Sequence, residues 1–410
     1  MSAELVGVGD TAESAAGKTV DTPAGDTVDV LLVQLGSTEG LRVADEELVA
    51  SLRRAGAHVV VAPAARPSEI RTLMLTDLRW ARAARRAAVE ALGQLRGSSP
   101  RLVIYSATTA SLLWPLPGAI RFDSVSAANR PGRHGLWQRP LERRRLREAP
   151  LLLPSSAGAL AEATAAVGGT LDPERALVVP SPIAARPPDE GGIPSAGDQQ
   201  PHGNEALPES APATRPAGRP PDPVQRDIAA ITYAANPRKK GLDRVLAAWR
   251  SVRRPGERLA IAGIDREGLR ANGIEVAEEG VDVVGALAQS DYRALLRRTR
   301  VFVCAPRREE YGLAQLEALA EGCRLVATPA PGGYVALPIA RQLDPRLVGE
   351  DLGGALRTAL DSPDGDYTAR AAALVEPFTV AAVDRLVADE LLPRLLRGDR
   401  FSEGSRSSLR

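Results

Sequence analysis

Two glutamates and a pair of lysines are the residues of this chain best suited to chemistry. Glu309 and Glu317 have seven residues between them, in a stretch that also holds Glu310, Tyr311, Gly312 and Leu313. A strand pattern at 300–304 runs into this stretch and a helical pattern at 313–321 runs out of it. The helix therefore starts between the two acids. Glu309 falls on the loop at the strand's carboxyl end and Glu317 about one turn into the helix, so both can address one ligand. Backbone N–H groups of Gly312 and Leu313 lack intrahelical partners at such a start and can bind oxygen atoms. Carboxylates accept hydrogen bonds from hydroxyls. The pattern suits a polyhydroxyl ligand that also carries phosphate. Lysine is rare here, at positions 18, 239 and 240 only among 52 basic residues. Lys240 and Arg238 lie at the carboxyl end of the strand pattern 228–233, as positive partners for that phosphate. Hydroxyl acceptors, amide donors and cations together are what a sugar nucleotide requires.

The elements that must position these residues read as α/β. A nearly continuous apolar run at 28–35 fits a strand buried on both faces. It is followed by the loop Gly36–Gly40, a helical pattern at 41–55, a strand at 57–62 and a long amphipathic stretch at 67–96. Further strands are predicted at 101–105, 118–122, 150–153 and 176–180, with helices near 136–148 and 155–167. The second half restarts with a strand at 228–233 and a helix at 241–252. Strands then fall at 258–262, 281–284, 300–304 and 323–327, with helices at 289–298 and 313–321. This alternation predicts two Rossmann-like, doubly wound domains facing each other across a cleft. Between them, residues 180–223 hold 12 Pro in 44 positions and few bulky apolar side chains, the composition of a linker or insertion. The expected division is a tail at 1–27, a domain at 28–184, a Pro-rich linker at 185–226, a domain at 227–376, and a C-terminal helix and tail at 377–410.

The segment 309–317 resembles the E-x7-E motif of retaining GT-B glycosyltransferases of the family-4 type. The likeness extends to Lys240-Gly241-Leu242-Asp243, to the strand from Leu259 ending in Gly263, to Val284-Gly285-Ala286-Leu287, and to Gly322–Ala327 followed by Gly332-Gly333. It covers about residues 228–340. The resemblance implies that the donor nucleotide sugar lies mainly on the C-terminal domain. Glu309 then contacts the donor sugar, Glu317 the ribose hydroxyls, and Lys240 neutralises the diphosphate leaving group. Arg238, Tyr311, Gly312, Leu313, Gly285 and Leu287 complete the donor side. Transfer proceeds with retention and without a metal, and the nucleotide sugar is a substrate, so no cofactor is expected. Ala235 stands where that family usually carries an arginine, and Tyr311 where it usually carries Phe. Two other readings stay open: a sugar-nucleotide epimerase on the same fold, and a non-catalytic sugar-nucleotide-binding protein.

Acceptor-side residues are less legible. Gly36 opens the first strand–helix loop, and His134 lies in a loop-like stretch, 129–135, that could line the cleft. Residues 130–148 contain seven Arg and two acids. The run Arg139–Arg147 is either a solvated basic face or a patch for an anionic or lipid-linked acceptor, or for an anionic membrane surface. The remaining composition excludes several classes. With 52 basic and 51 acidic residues the net charge is +1, which argues against a dedicated nucleic-acid binder. No apolar run approaches the roughly 20 residues of a membrane helix, and the first residues lack the features of a secretory signal. The expected setting is cytoplasmic, with peripheral membrane contact as the alternative. Cys304 and Cys323, the only cysteines, are expected to be buried free thiols. Asp364-Gly365-Asp366 reads as a turn, and no serine-hydrolase, zinc-protease or Walker A signature is present.

Overall fold

The computed structural model describes residues 28–68, 73–95, 100–130, 132–184, 226–276, 279–362 and 364–396. The expected tail at 1–27 and nearly all of the expected linker lie outside the described residues.

The N-terminal domain alternates strands and helices. It runs β1 (Val30–Gln34), α1 (Glu39–Arg54), β2 (Val59–Pro63), α2 (Leu73–Gln94), β3 (Leu102–Tyr105), α3 (Thr108–Ser111), β4 (Ala119–Phe122), α4 (Ser126–Asn129), α5 (Gln138–Glu148), β5 (Leu152–Pro154) and α6 (Ala157–Val167). All five strands are parallel, in the order β2-β1-β3-β4-β5, with Val30 beside both Val59 and Leu102. Leu31, Leu32 and Val33 are fully buried because helices cover both faces of the sheet, which is why the strand reads as an unbroken apolar run. The expected strand at 176–180 is not one. Leu177 N donates to Leu152 O and Val179 N to Pro154 O, but Ala176 is the only residue there in a bridge. Pro180 and Pro182, which lack N–H donors, stop the ladder from extending.

The C-terminal domain repeats the plan. Its elements are β6 (Ile228–Tyr233), α7 (Leu242–Val252), β7 (Leu259–Ala262), α8 (Arg266–Ala271), β8 (Val281–Gly285), α9 (Gln289–Arg297), β9 (Thr299–Cys304), α10 (Leu313–Ala320), β10 (Arg324–Ala327), α11 (Ala336–Leu343), α12 (Leu352–Asp361) and α13 (Tyr367–Val375). The strand order is β10-β9-β6-β7-β8, again all parallel. Chain direction across the sheet reverses between β6 and β9, and the crevice outside the carboxyl ends of such a pair is where ligands bind in doubly wound sheets.

After α13 the chain returns to the first domain. Ile183 N donates to Phe378 O at 2.7 Å and Val380 N to Ile183 O at 3.1 Å, so the outgoing and returning strands of chain are bonded to each other. Beyond this crossing, α14 (Val380–Leu386), a π-helical turn (Val387–Leu391) and α15 (Leu392–Leu396) lie on the N-terminal domain. Val383, Val387, Leu391 and Leu395 are buried with Leu48, Leu52, Val59 and Leu153. Asp384 accepts from Ser51 and pairs with Arg54 at 2.7 Å. No helix among the described residues is long and apolar enough to cross a membrane.

Candidate active site

The site residues meet because two loops are fastened together at the β6/β9 crevice. Gly241 caps α7 with φ +66°, and a Cβ there would stand 1.9 Å from Ala305 O. Only glycine permits that approach. Arg307 N donates to Lys239 O at 2.9 Å, while the Arg307 guanidinium bonds Arg238 O and both carboxylate oxygens of Asp243. From the other side, Glu309 N donates to Pro331 O, and a Cβ on Gly332 (φ +119°) would stand 2.1 Å from Glu309 O. The Glu309 backbone is thus held from two directions.

These constraints bring Lys240 Nζ to 2.5 Å from Glu309 Oε2, with Glu309 buried and Lys240 partly open. Gln315 Nε2 reaches the same oxygen at 3.3 Å, and Gln315 Oε1 is buried without a hydrogen-bond partner. Beside this pair lies a second one, Lys239 with Glu310. Arg308 links Glu310, at 3.3 Å, to Glu162 of α6, at 2.7 Å, and so carries the charge chain across to the N-terminal domain. The domains also touch through backbone, since a Cβ on Gly158 would stand 2.6 Å from the Gly333 Cα. The carboxyl ends of both sheets therefore border one cleft.

Glu317 sits on α10 beside α9. Burial raises its carboxyl to about 7, Glu321 adds to the rise, and Arg293 and a hydrogen bond from Gln289 oppose it. Gln289 follows the loop that carries Gly285 (φ +78°) and the exposed Leu287, so the predicted residues Gly285, Leu287 and Glu317 share one corner. Gly312 caps α10 with φ +95°, its face packed on the Tyr334 ring, and Leu313 is half-buried behind it.

Other predicted residues are placed differently. Tyr311 reaches to the segment that leaves the N-terminal domain: it is buried and its hydroxyl donates to Ser181 O at 2.8 Å. Arg238 is exposed, its guanidinium directed at Asn272 O and not at Glu309. Gly36 (φ +59°) lies at the carboxyl end of β1, with open space where a Cβ would go. His134 is exposed on a turn, Gly132–Gly135, that packs on α2. In the arginine-rich helix α5, Arg139 bonds Gly135 O, Arg143 bonds Ala166 O, Arg145 bonds Leu112 O, Arg147 bonds Val167 O, and Arg144 pairs with Glu148. Those guanidinium groups are engaged within the fold. Cys304 and Cys323 are buried free thiols, and burial pushes Cys304 up to about 11. Asp366 N donates to Asp364 Oδ1, the expected turn. The sequence reading singled out the lysine pair but gave no role to Lys239, nor to Glu310, Gln315 or Gln289. Gln315 and Gln289 carry no charge to single them out, and the Lys239–Glu310 pair is visible only once β6 and β9 are known to be neighbours.

Residues 226–349 match the family model Glycosyl transferases group 1. The matched stretch contains the β6/β9 crevice together with Lys240, Glu309 and Glu317. No curated protein sequence matches the chain. Among solved structures, HepE from Anabaena, in complex with UDP and glucose, is similar at TM-score 0.58 and 13% identity, over 88% of this chain and 98% of that one. A sucrose-phosphate synthase from Thermosynechococcus elongatus is similar at TM-score 0.57 and 14% identity, over 91% and 100%. A putative UDP-N-acetylglucosamine 2-epimerase from Listeria monocytogenes is similar at TM-score 0.52 and 11% identity, over 89% and 96%. The expected architecture, two Rossmann-like domains of GT-B type, is the one observed.

Proposed function

We propose that the protein is a retaining glycosyltransferase that moves a sugar from a nucleotide-sugar donor to a hydroxyl-bearing acceptor without a metal. The observation that carries the reading is the contact of Lys240 with Glu309 at the β6/β9 crevice, inside the stretch that matches Glycosyl transferases group 1. In this reading the departing diphosphate takes the Lys240 ammonium. Charge develops there as the sugar–phosphate bond breaks, and a cation already held in place stabilises it without reorganising. Lys240 then leaves Glu309, whose carboxylate turns to the donor sugar's hydroxyls. Gln315, whose amide nitrogen donates to Glu309 Oε2, keeps Glu309 oriented. Glu317, partly open and beside the 285–289 corner, accepts from the ribose hydroxyls in its ionised form.

The GT-B fold also serves the epimerase-like structure, so the fold alone does not choose between transfer and epimerisation. The group 1 match favours transfer. Titration of two variants with two ligands tests the roles. Glu317→Ala weakens both the sugar nucleotide and the free nucleoside diphosphate, which share the ribose. Glu309→Ala weakens only the sugar nucleotide and cuts turnover more than binding. If Glu309→Ala loses the free diphosphate as badly as Glu317→Ala does, the assignment of the two carboxylates fails.

A further inference from the structure

The N-terminal sheet presents its own crevice to the cleft, and its lining is nearly uncharged. The loop at the carboxyl end of β1 contributes Gly36, Ser37 and Thr38, while Ser106 after β3 and Ser155 and Ser156 after β5 are buried behind the surface. Asp123, the residue after β4, is the one carboxylate among the described residues of these strand-end loops. Its place is fixed on both sides. Ser155 N bonds Phe122 O at 2.8 Å, tying the end of β4 to that of β5, and Arg121 is locked by a buried pair with Asp45 at 2.9 Å. Asp123 itself reaches solvent. Its carboxylate neighbours its own backbone N–H and the Ser124 hydroxyl, the latter at 3.4 Å, too long for a strong bond.

The groups whose charge Asp123 feels come from both domains. Glu310 and Lys239 act on it from the opposite wall, and Arg121 from its own strand. Glu310 is already matched by Lys239 and Arg308, and Arg121 by Asp45. Asp123 has no such partner of its own. A carboxylate with spare acceptor capacity is matched by a ligand that donates hydrogen bonds and carries no negative charge.

We propose that Asp123 is the acceptor-binding residue and that the acceptor presents an uncharged polyhydroxyl end, a sugar, to the cleft. This rests on the glycosyltransferase reading above. A hydroxyl of the acceptor donates to Asp123, which sets the neighbouring reacting hydroxyl against the donor sugar. Phosphate or carboxylate groups on that end meet Asp123 and Glu310 and are disfavoured. Water can stand in for the acceptor, with one hydrogen on Asp123 and its oxygen toward the sugar, so slow donor hydrolysis reports the same subsite.

The test uses the full chain with UDP, GDP and ADP and the matching glucose nucleotides. The diphosphate that binds most tightly selects the donor. Asp123→Ala is expected to leave affinity for the free diphosphate within twofold and to lower donor hydrolysis more than tenfold. Asp123→Asn, which keeps one acceptor oxygen, falls between. Hydrolysis by Asp123→Ala at the wild-type rate overturns the proposal. So does a parallel loss of diphosphate affinity, which would assign Asp123 to the donor or to closure of the cleft. A wild-type protein that binds none of the three diphosphates and hydrolyses none of the donors instead refutes the glycosyltransferase reading, and this inference with it.

Discussion

Replacing Glu317 by Gln is expected to make the protein more stable and less able to bind nucleotide. The Glu317 carboxyl sits at about 7 in the folded protein against 4.5 ordinarily, chiefly because of burial. Between those two pH values the folded protein keeps a proton that the unfolded chain has released. Stability therefore falls as pH rises from 4.5 to 7, and the full cost of the ionised carboxylate is present above 7. A difference of this size corresponds to about 3 kcal/mol at most, and to roughly 2 kcal/mol once partial exposure of the side chain is counted. Glutamine keeps the shape and the Gln289 neighbour and removes the titration. Thermal melts of wild type and Glu317→Gln at intervals from pH 5 to 9 read the effect. Above pH 7 the variant melts higher, by about 4–8 °C for a domain of this size, and the gap closes toward pH 4.5. In the same reading, wild-type affinity for a nucleoside diphosphate climbs by up to about tenfold from pH 6 to 8 as Glu317 ionises, and Glu317→Gln loses that slope. An equal melting temperature at pH 8 would refute the reasoning, as would a gap that does not change with pH, because a packing effect has no proton to titrate.

Two further outcomes follow from the same geometry. Lys240→Ala removes the charge-assisted partner of Glu309 and is expected to weaken nucleoside diphosphate binding by about 1.5–3 kcal/mol, measured calorimetrically. Lys240→Arg restores little of it, since a planar fork does not reproduce the compact ammonium. Leu391→Ala empties a buried position on the returning helix and is expected to cost about 2–5 kcal/mol. Denaturant unfolding followed by hydrogen exchange should place that loss in the N-terminal domain, not in the domain that precedes Leu391 in sequence.

The strands were legible because parallel strands with both faces covered must be apolar throughout, as at Leu31–Val33 and Val301–Val303. The approach of Lys240 to Glu309 was implied by their common place at strand ends, and Gly241 and Gly312, both at positive φ, mark the helix starts that set it. What escaped the sequence depends on who neighbours whom. Tyr311 turns inward because Ser181 of the crossing segment offers it a buried carbonyl, a partner 130 positions away. Arg238 spends its carbonyl on Arg307 and sends its side chain toward α8. The segment at 176–180 has strand-like residues, yet prolines close behind leave it without a ladder. Asp123 is an ordinary acid on a loop until Glu310 and Lys239 are seen on the facing wall.

The return of 380–396 to the first domain has a consequence for how the protein is made. The C-terminal domain is contiguous, and its last strand, β10, is translated well before the chain reaches α14. The N-terminal domain begins earlier but lacks Val383, Val387, Leu391 and Leu395 until that helix leaves the ribosome. During synthesis it carries an uncovered apolar strip, lined by Leu48, Leu52 and Leu153, for longer than the younger domain takes to emerge. The domain started first is thus the one completed last. A nascent chain stalled just before Val380 presents that strip to whatever chaperone stands at the tunnel exit.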